Sequence, residues 1–221
     1  MTTSNNISES SDLAFIELKS DSPYDLFRDW YAEACKFCTG LPNALCLATV
    51  SNDLKPSARN VVLRRLEEDG FVIYTDSRSR KSKELAENST AAMCFLWTYL
   101  DDQDQKIARQ VRIEGDMIVV DKEEIADLYE SDKLFCKIRA YICHQDQEVD
   151  WDDLKARHDR LLGEVRQNKK DLPMPDYLIG YKMLPKNIEF YYARDNLIGD
   201  RILFEKSDPK CLQWTHKRIA A

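Results

Sequence analysis

The 221-residue chain is poor in glycine, with six, and carries no Rossmann glycine pattern, Walker loop or G-x-S-x-G elbow. Enzyme classes built on those loops are excluded. Histidine is scarcer still: of the three, His158 sits on a helical face and His216 near the tail, leaving only His144 in a recognisable motif. Cys35 and Cys38 form a C-x-x-C, but no second pair or well-spaced histidine completes four zinc ligands, so no metal site is expected. Long apolar runs are missing, none approaching the roughly 20 residues a membrane span needs, and no membrane role is expected. A basic excess is missing too. The formal charge of −7 disfavours a general nucleic-acid surface, so any anion site has to be a local cluster of cations. Met1 to Asp12 lacks the basic and apolar stretches of a signal peptide and the arginines of a transit peptide, which points to a cytoplasmic protein.

What is present is the balance of a globular chain, 43% hydrophobic and 32% charged. The length suits one hydrophobic core. A flexible segment over 1–22 is expected to precede a single domain over 23–221. The seven cysteines are odd in number and lie mostly inside apolar stretches, such as Leu45-Cys46-Leu47 and Met93-Cys94-Phe95, so they read as reduced core residues.

Ser22-Pro23-Tyr24-Asp25 opens the first element, with a capping serine, a proline suited to the first turn and an acid at the positive end of the dipole. Leu26, Phe27, Trp30, Tyr31, Ala34 and Phe37 follow at helical spacing. The period then changes. Strands are predicted over Ala44 to Val50, Ser57 to Leu66, Phe71 to Thr75, Ala91 to Trp97 and Arg109 to Val120, with a short helix over Ser79 to Asn88. Helices are predicted over Lys122 to Ser131, Leu134 to Cys143 and Trp151 to Lys169, and closing strands over Tyr177 to Met183, Ile188 to Tyr192 and Arg201 to Glu205. The fold class that follows is α+β, mainly antiparallel β, with a sheet able to curl toward a barrel.

Chemistry gathers at neighbouring strand ends. Arg59, Thr75, Arg80 and Lys81 together can hold a phosphate, the arginines as planar forks and the lysine as a point charge. Arg80 and Lys81 also open a short helix, where free backbone N–H groups favour an anion. On residue chemistry alone, a phosphate site and a solvated patch of surface cations remain equally open.

A resemblance decides between them. Asn43-Ala44-Leu45-Cys46-Leu47-Ala48-Thr49, Lys55-Pro56-Ser57-Ala58-Arg59, Ser79-Arg80-Lys81-Ser82-Lys83-Glu84-Leu85, Arg109-Gln110-Val111-Arg112-Ile113-Glu114-Gly115, His144-Gln145 and Asp200-Arg201-Ile202 resemble the signature segments of pyridoxamine 5'-phosphate oxidases, in family order and spacing. The resemblance runs from Pro23 to the end, where Trp214 and Arg218-Ile219-Ala220 are also similar to the family and Ala221 replaces a final proline.

The resemblance implies an FMN-binding split β-barrel with flanking helices, working as a homodimer. It implies oxidation of pyridoxamine or pyridoxine 5'-phosphate to pyridoxal 5'-phosphate in vitamin B6 metabolism, with O2 as acceptor. Carried over by position, FMN would meet Arg59, Asn60, Val61 and Val62, then Tyr74, Thr75, Arg80, Lys81, Gln110, Gln145, Tyr191 and Arg201. No catalytic residue is assigned.

The departures cluster. Tyr191 replaces a tryptophan, keeping an aromatic wall. Asp146 replaces a serine beside the implied phosphate, so that it must turn away or flavin affinity must fall. On the substrate side Arg64 replaces a lysine, and Leu128 or Tyr129, Asp132 and Cys136 replace the Tyr, Arg and Ser that grip a substrate phosphate. An Arg-x-His pair becomes Leu197-Ile198-Gly199, while Arg194, Lys133 and Lys137 lie close enough in sequence to stand in. The alternatives are a catalytically impaired FMN-binding homologue, acting as sensor, binding module or dimer partner, and a flavin oxidoreductase with a different substrate.

Overall fold

A computed structural model describes residues 11–206 and 213–221. The chain divides into two compact units: the described residues of Met1–Leu45, Met93–Glu114 and Lys186–Ala221, and the residues Cys46–Ala92 and Gly115–Pro185. The described residues form five α-helices, α1 (Pro23–Phe37), α2 (Arg80–Glu87), α3 (Ala126–Glu130), α4 (Leu134–Ile142) and α5 (Trp151–Arg166). They form nine strands, β1 (Ala44–Val50), β2 (Pro56–Val62), β3 (Arg65–Leu66), β4 (Phe71–Asp76), β5 (Thr90–Leu100), β6 (Lys106–Val120), β7 (Leu178–Arg194), β8 (Asp200–Lys206) and β9 (Trp214–Arg218). The strands are hydrogen-bonded in the order β2-β1-β5-β6-β7-β4-β3, with β8 against β7 and β9 against β8. The β3–β4, β4–β7, β7–β8 and β8–β9 pairs are antiparallel, and the class is α+β as the sequence predicts.

In the first unit, α1 buries Leu26, Phe27, Trp30 and Ala34. Phe27 meets Phe95 edge-on at 5.1 Å and Trp30 meets Phe190 at 5.2 Å, ring geometries that add to area burial. The stretch after Asp12 is docked. Ala14 N–H donates to Ile198 O at 2.8 Å, Ile198 N–H to Asp12 O at 2.9 Å, and Ile16 N–H to Asp200 Oδ2 at 2.7 Å. The buried Asp200 carboxylate needs such donors, and Arg218 Nε supplies another at 3.0 Å. The expected flexibility of 1–22 therefore does not extend to Asp12–Ile16, and its residues 1–10 lie outside the described ones.

In the second unit, the strand predicted from Ser57 to Leu66 is interrupted. Leu63 and Arg64 lie between β2 and β3, and Arg64 keeps one backbone bond, to Val72 O at 2.8 Å. β7 is one 17-residue strand where the sequence suggests two. Leu178–Met183 pair with β4 and Asn187–Tyr192 with β8, so Pro185, which has no N–H to give, belongs to neither of these two ladders. Gly115 on β6, a further partner of β7, lies against Leu184 and Pro185. A β-carbon there would sit 2.1 Å from Leu184 O, closer than any side chain can be.

The cysteine expectation needs correcting. The six described cysteines are free, but five are half-buried and Cys35 is exposed, while Cys211 lies outside the described residues. The cause is strand alternation: Leu45 and Leu47 on β1, and Met93 and Phe95 on β5, are buried, which turns Cys46 and Cys94 to the opposite faces.

Candidate functional site

The second unit gathers most of the predicted anion-binding residues around one carboxylate. Glu84, one turn after Arg80 on α2, is buried. Its Oε2 accepts from Thr49 at 2.5 Å, Ser57 at 2.6 Å and Arg59 Nη2 at 3.1 Å, and its Oε1 from Arg80 Nε at 2.8 Å. Burial pushes this carboxyl up, but the bonds from Ser57, Thr49, Arg80 and Arg59 outweigh it and hold the pKa at about 2. Glu84 stays charged and fixes two arginines. The sequence reading quoted Glu84 within a motif without giving it this role; the i,i+4 spacing from Arg80 is the signal that carries it.

Beside it lies Lys81, also buried. Its Nζ donates to Thr75 Oγ1 and Ser79 Oγ at 3.0 Å each and to Gln145 Oε1 at 2.8 Å. Burial lowers its pKa, neighbouring Arg59 lowers it further, and Asp146, Asp76 and Glu84 oppose them, leaving about 8. The Lys81 ammonium is thus held with little water and ready to lose its proton.

Asp146 resolves one expectation. It does not turn away: its Oδ2 accepts the Arg80 backbone N–H at 3.0 Å, at the N-terminus of α2. An internal carboxylate thus stands where an external anion would be drawn. Three cations, Arg59, Arg80 and Lys81, face two carboxylates, Glu84 and Asp146. The donor set suits a phosphate, and Asp146 is its internal stand-in.

Asn60, Val61 and Val62 lie along β2, the terminal strand of the order, with Asn60 exposed and the valines half-buried. Tyr74 belongs to a different cluster: its hydroxyl donates to Asp132. Arg64 Nη2 pairs with the same carboxylate and also donates to Leu128 O at 3.3 Å, while the guanidinium lies 4.6 Å from the Tyr74 ring centre. Cys136 is half-buried. Tyr129, proposed from sequence as a substrate ligand, is a core residue: it is 1% exposed, and its hydroxyl donates to Leu172 O at 3.0 Å. Lys137 is held by Glu130, through its carbonyl at 2.9 Å and its carboxylate at 3.5 Å, whereas Lys133 is exposed.

The first unit holds the remaining predicted residues. Gln110 is half-buried on β6. Tyr191 and Arg201 are register partners on β7 and β8, with the Arg201 guanidinium 5.2 Å from the Tyr191 ring centre. Arg201 Nη1 donates to Glu189 Oε1 at 3.2 Å, while its buried Nε has no acceptor among the described residues, an unmet donor that suits a ligand oxygen. Gly199 makes room for the Tyr191 ring: a β-carbon there would meet Tyr191 Cε2 at 2.5 Å. Arg194, with Tyr99 and Lys106, lines a separate cleft of about 420 Å3.

Comparison with known proteins gives the family and the fold. Residues 32–165 match the family described as pyridoxamine 5'-phosphate oxidase, and residues 179–221 match the pyridoxine 5'-phosphate oxidase C-terminal dimerisation region. A pyridoxine/pyridoxamine 5'-phosphate oxidase of Colwellia psychrerythraea is 35% identical over 192 residues, covering 86% of this chain and 84% of its own. The crystal structure of PhzG from Burkholderia lata 383, in complex with tetrahydrophenazine-1-carboxylic acid, is 25% identical, with a TM-score of 0.80 over 96% of this chain and 100% of that one. A pyridoxamine 5'-phosphate oxidase-related, FMN binding protein of Nostoc punctiforme shares the fold at 15% identity and a TM-score of 0.69, over 91% of this chain and 100% of that one. The split-barrel expectation holds.

Proposed function

Because the chain belongs to the pyridoxamine 5'-phosphate oxidase family, we propose that it is an FMN-dependent oxidase acting on the carbon that bears an amine or alcohol. The observation that carries this is the buried cluster around Glu84, in which Arg59, Arg80 and Lys81 converge at the start of α2 with Thr75 and Gln145. Arg59, Thr75, Arg80, Lys81 and Gln145 are assigned to the phosphate end of FMN. Asn60, Val61, Val62, Tyr74, Gln110, Tyr191 and Arg201 are its further contacts on the family resemblance.

Bound FMN would supply the two-electron acceptor that no side chain offers. The substrate carbon loses a hydride equivalent. An alcohol and O2 give an aldehyde and hydrogen peroxide; an amine needs one water more and also gives ammonia. Pyridoxamine and pyridoxine 5'-phosphates are the first substrates to test, since the Colwellia relative is named for them. The C-terminal match supports a homodimer, and a cytoplasmic setting completes the proposal.

A second reading, a flavin oxidoreductase with a different substrate, is favoured by one observation: Asp132 is paired with Arg64 where the resemblance places a phosphate grip. The experiment is to purify the protein, record its visible spectrum and assay peroxide release with the two phosphates. Yellow, active protein supports the first reading, and yellow protein inactive on both supports the second. Colourless protein that takes up no added FMN overturns both.

A further inference from the structure

The second unit holds a cleft between α4 and α5, lined by side chains that the proposed flavin site does not use. It encloses about 350 Å3, at the small end of ligand pockets. Its apolar base is fixed: Leu161 is buried with Ile138 and Leu172, and Ile142 packs on the same cluster. Tyr141 supplies a wall, anchored by its hydroxyl, which donates to Pro173 O at 2.7 Å. Over this base stand three cations, Arg157, Arg160 and Lys170, and one carboxylate, Glu164. Arg157, Arg160, Leu161 and Glu164 recur at three and four residues along α5, which puts them on one face. The chain then turns back, with Lys169 N–H donating to Glu164 O at 2.9 Å, and brings Lys170 to that face. A chain of formal charge −7 thus collects a local positive excess. The excess is weakly spent. Arg160 has no hydrogen bond or ion pair among the described residues, although Glu164 lies four positions on. Glu164 meets Lys170 instead, at 3.9 Å, the outer limit of an ion pair. Arg157 donates only through Nη1, to Ile142 O at a long 3.4 Å. Lys155, on the same helix but outside the cleft, is by contrast paired with Asp159.

We infer that this cleft is a binding site for a small anion with at least two negative charges, a phosphate or a polycarboxylate, held by Arg157, Arg160 and Lys170. Each guanidinium offers a planar fork that fits two oxygens of either group, and the lysine adds a point charge. The apolar base keeps water from one side of the ligand, which strengthens those bonds. The anion ties α4, α5 and the chain after α5 together, so binding also stabilises the folded protein. The site is independent of the oxidase reading, and no step of that chemistry passes through it.

The test is calorimetric titration of the FMN-supplemented protein with pyrophosphate and, separately, with citrate, at low ionic strength where screening is weak. The wild type should bind at least one of the two ions, and the tighter of them gives the class of ligand. Arg157→Ala combined with Arg160→Ala should weaken that binding about tenfold or more. Lys155→Ala should leave it unchanged. Arg160→Ala alone removes a side chain with no protein partner, and decides the matter if the double variant does not fold. The inference is overturned if neither ion binds, if the folded cleft variants bind as the wild type does, or if Lys155→Ala costs as much as they do. It is also overturned if binding is lost in Arg80→Ala combined with Lys81→Met and kept in the cleft variants, since the anion then sits at the cluster around Glu84.

Discussion

Asp146 Oδ2 accepts the backbone N–H of Arg80 at 3.0 Å, so the first turn of α2 already holds an anion that belongs to the chain. A phosphate arriving at that turn must displace the carboxylate or share the turn with it. Asp146 is exposed, and solvent screens the repulsion, so its effect is modest. Replacing it with serine should tighten FMN binding about fivefold, which corresponds to about 1 kcal/mol. Titration of flavin fluorescence on wild type and Asp146→Ser checks this; equal affinities would mean that the carboxylate swings out at no cost.

Arg80→Ala combined with Lys81→Met should abolish retention of FMN, since it removes a charged fork and the buried ammonium while keeping an apolar stem of similar length. Circular dichroism should show the fold intact. Flavin content after gel filtration is the measurement, and undiminished flavin would remove the phosphate assignment.

Lys81 makes binding depend on pH with a defined sign. Burial and Arg59 hold its pKa near 8, so below that pH it is charged and grips an anion, and above it the grip is lost. FMN affinity should therefore fall as pH rises through about 8. Stability of the flavin-free protein carries the opposite sign from this group. An unfolded lysine keeps its proton to about 10.4, so from about pH 8 to 10 the unfolded chain binds more protons and the Lys81 contribution to stability rises with pH. Fluorescence titration and urea unfolding at pH 7 and 9, with Lys81→Met as reference, separate the two.

Arg59→Ala should cost about 2 kcal/mol, the scale of one hydrogen bond to a charged group, because the buried Glu84 keeps Arg80 but loses one of its two guanidinium partners. Adding Glu84→Gln should recover most of that loss. Urea unfolding of the single and double variants measures the coupling.

Elements defined by local pattern were legible in the sequence. β1 runs over the residues predicted, and α1 begins at Pro23, where serine, proline and aspartate announce it. β9 was not legible as a strand: Trp214 is half-buried and Thr215 to Arg218 are exposed, so no alternation marks it. The continuity of β7 was hidden by Pro185, which lies in neither the β4 nor the β8 ladder. In the site, the cations could be read from their spacing. The roles of Glu84 and Asp132 were harder to read: spacing links Glu84 to Arg80 alone, while Arg59 lies 25 residues from Glu84 and Arg64 lies 68 residues from Asp132.

Gly199 and Tyr191 constrain what this chain can become. With the Tyr191 ring 2.5 Å from where a β-carbon at 199 would stand, any side chain there requires the tip of that ring to move. The aromatic residue must first be moved or exchanged. Changes at 191 and 199 are therefore coupled, and a variant at either position is read correctly only beside its partner at the other.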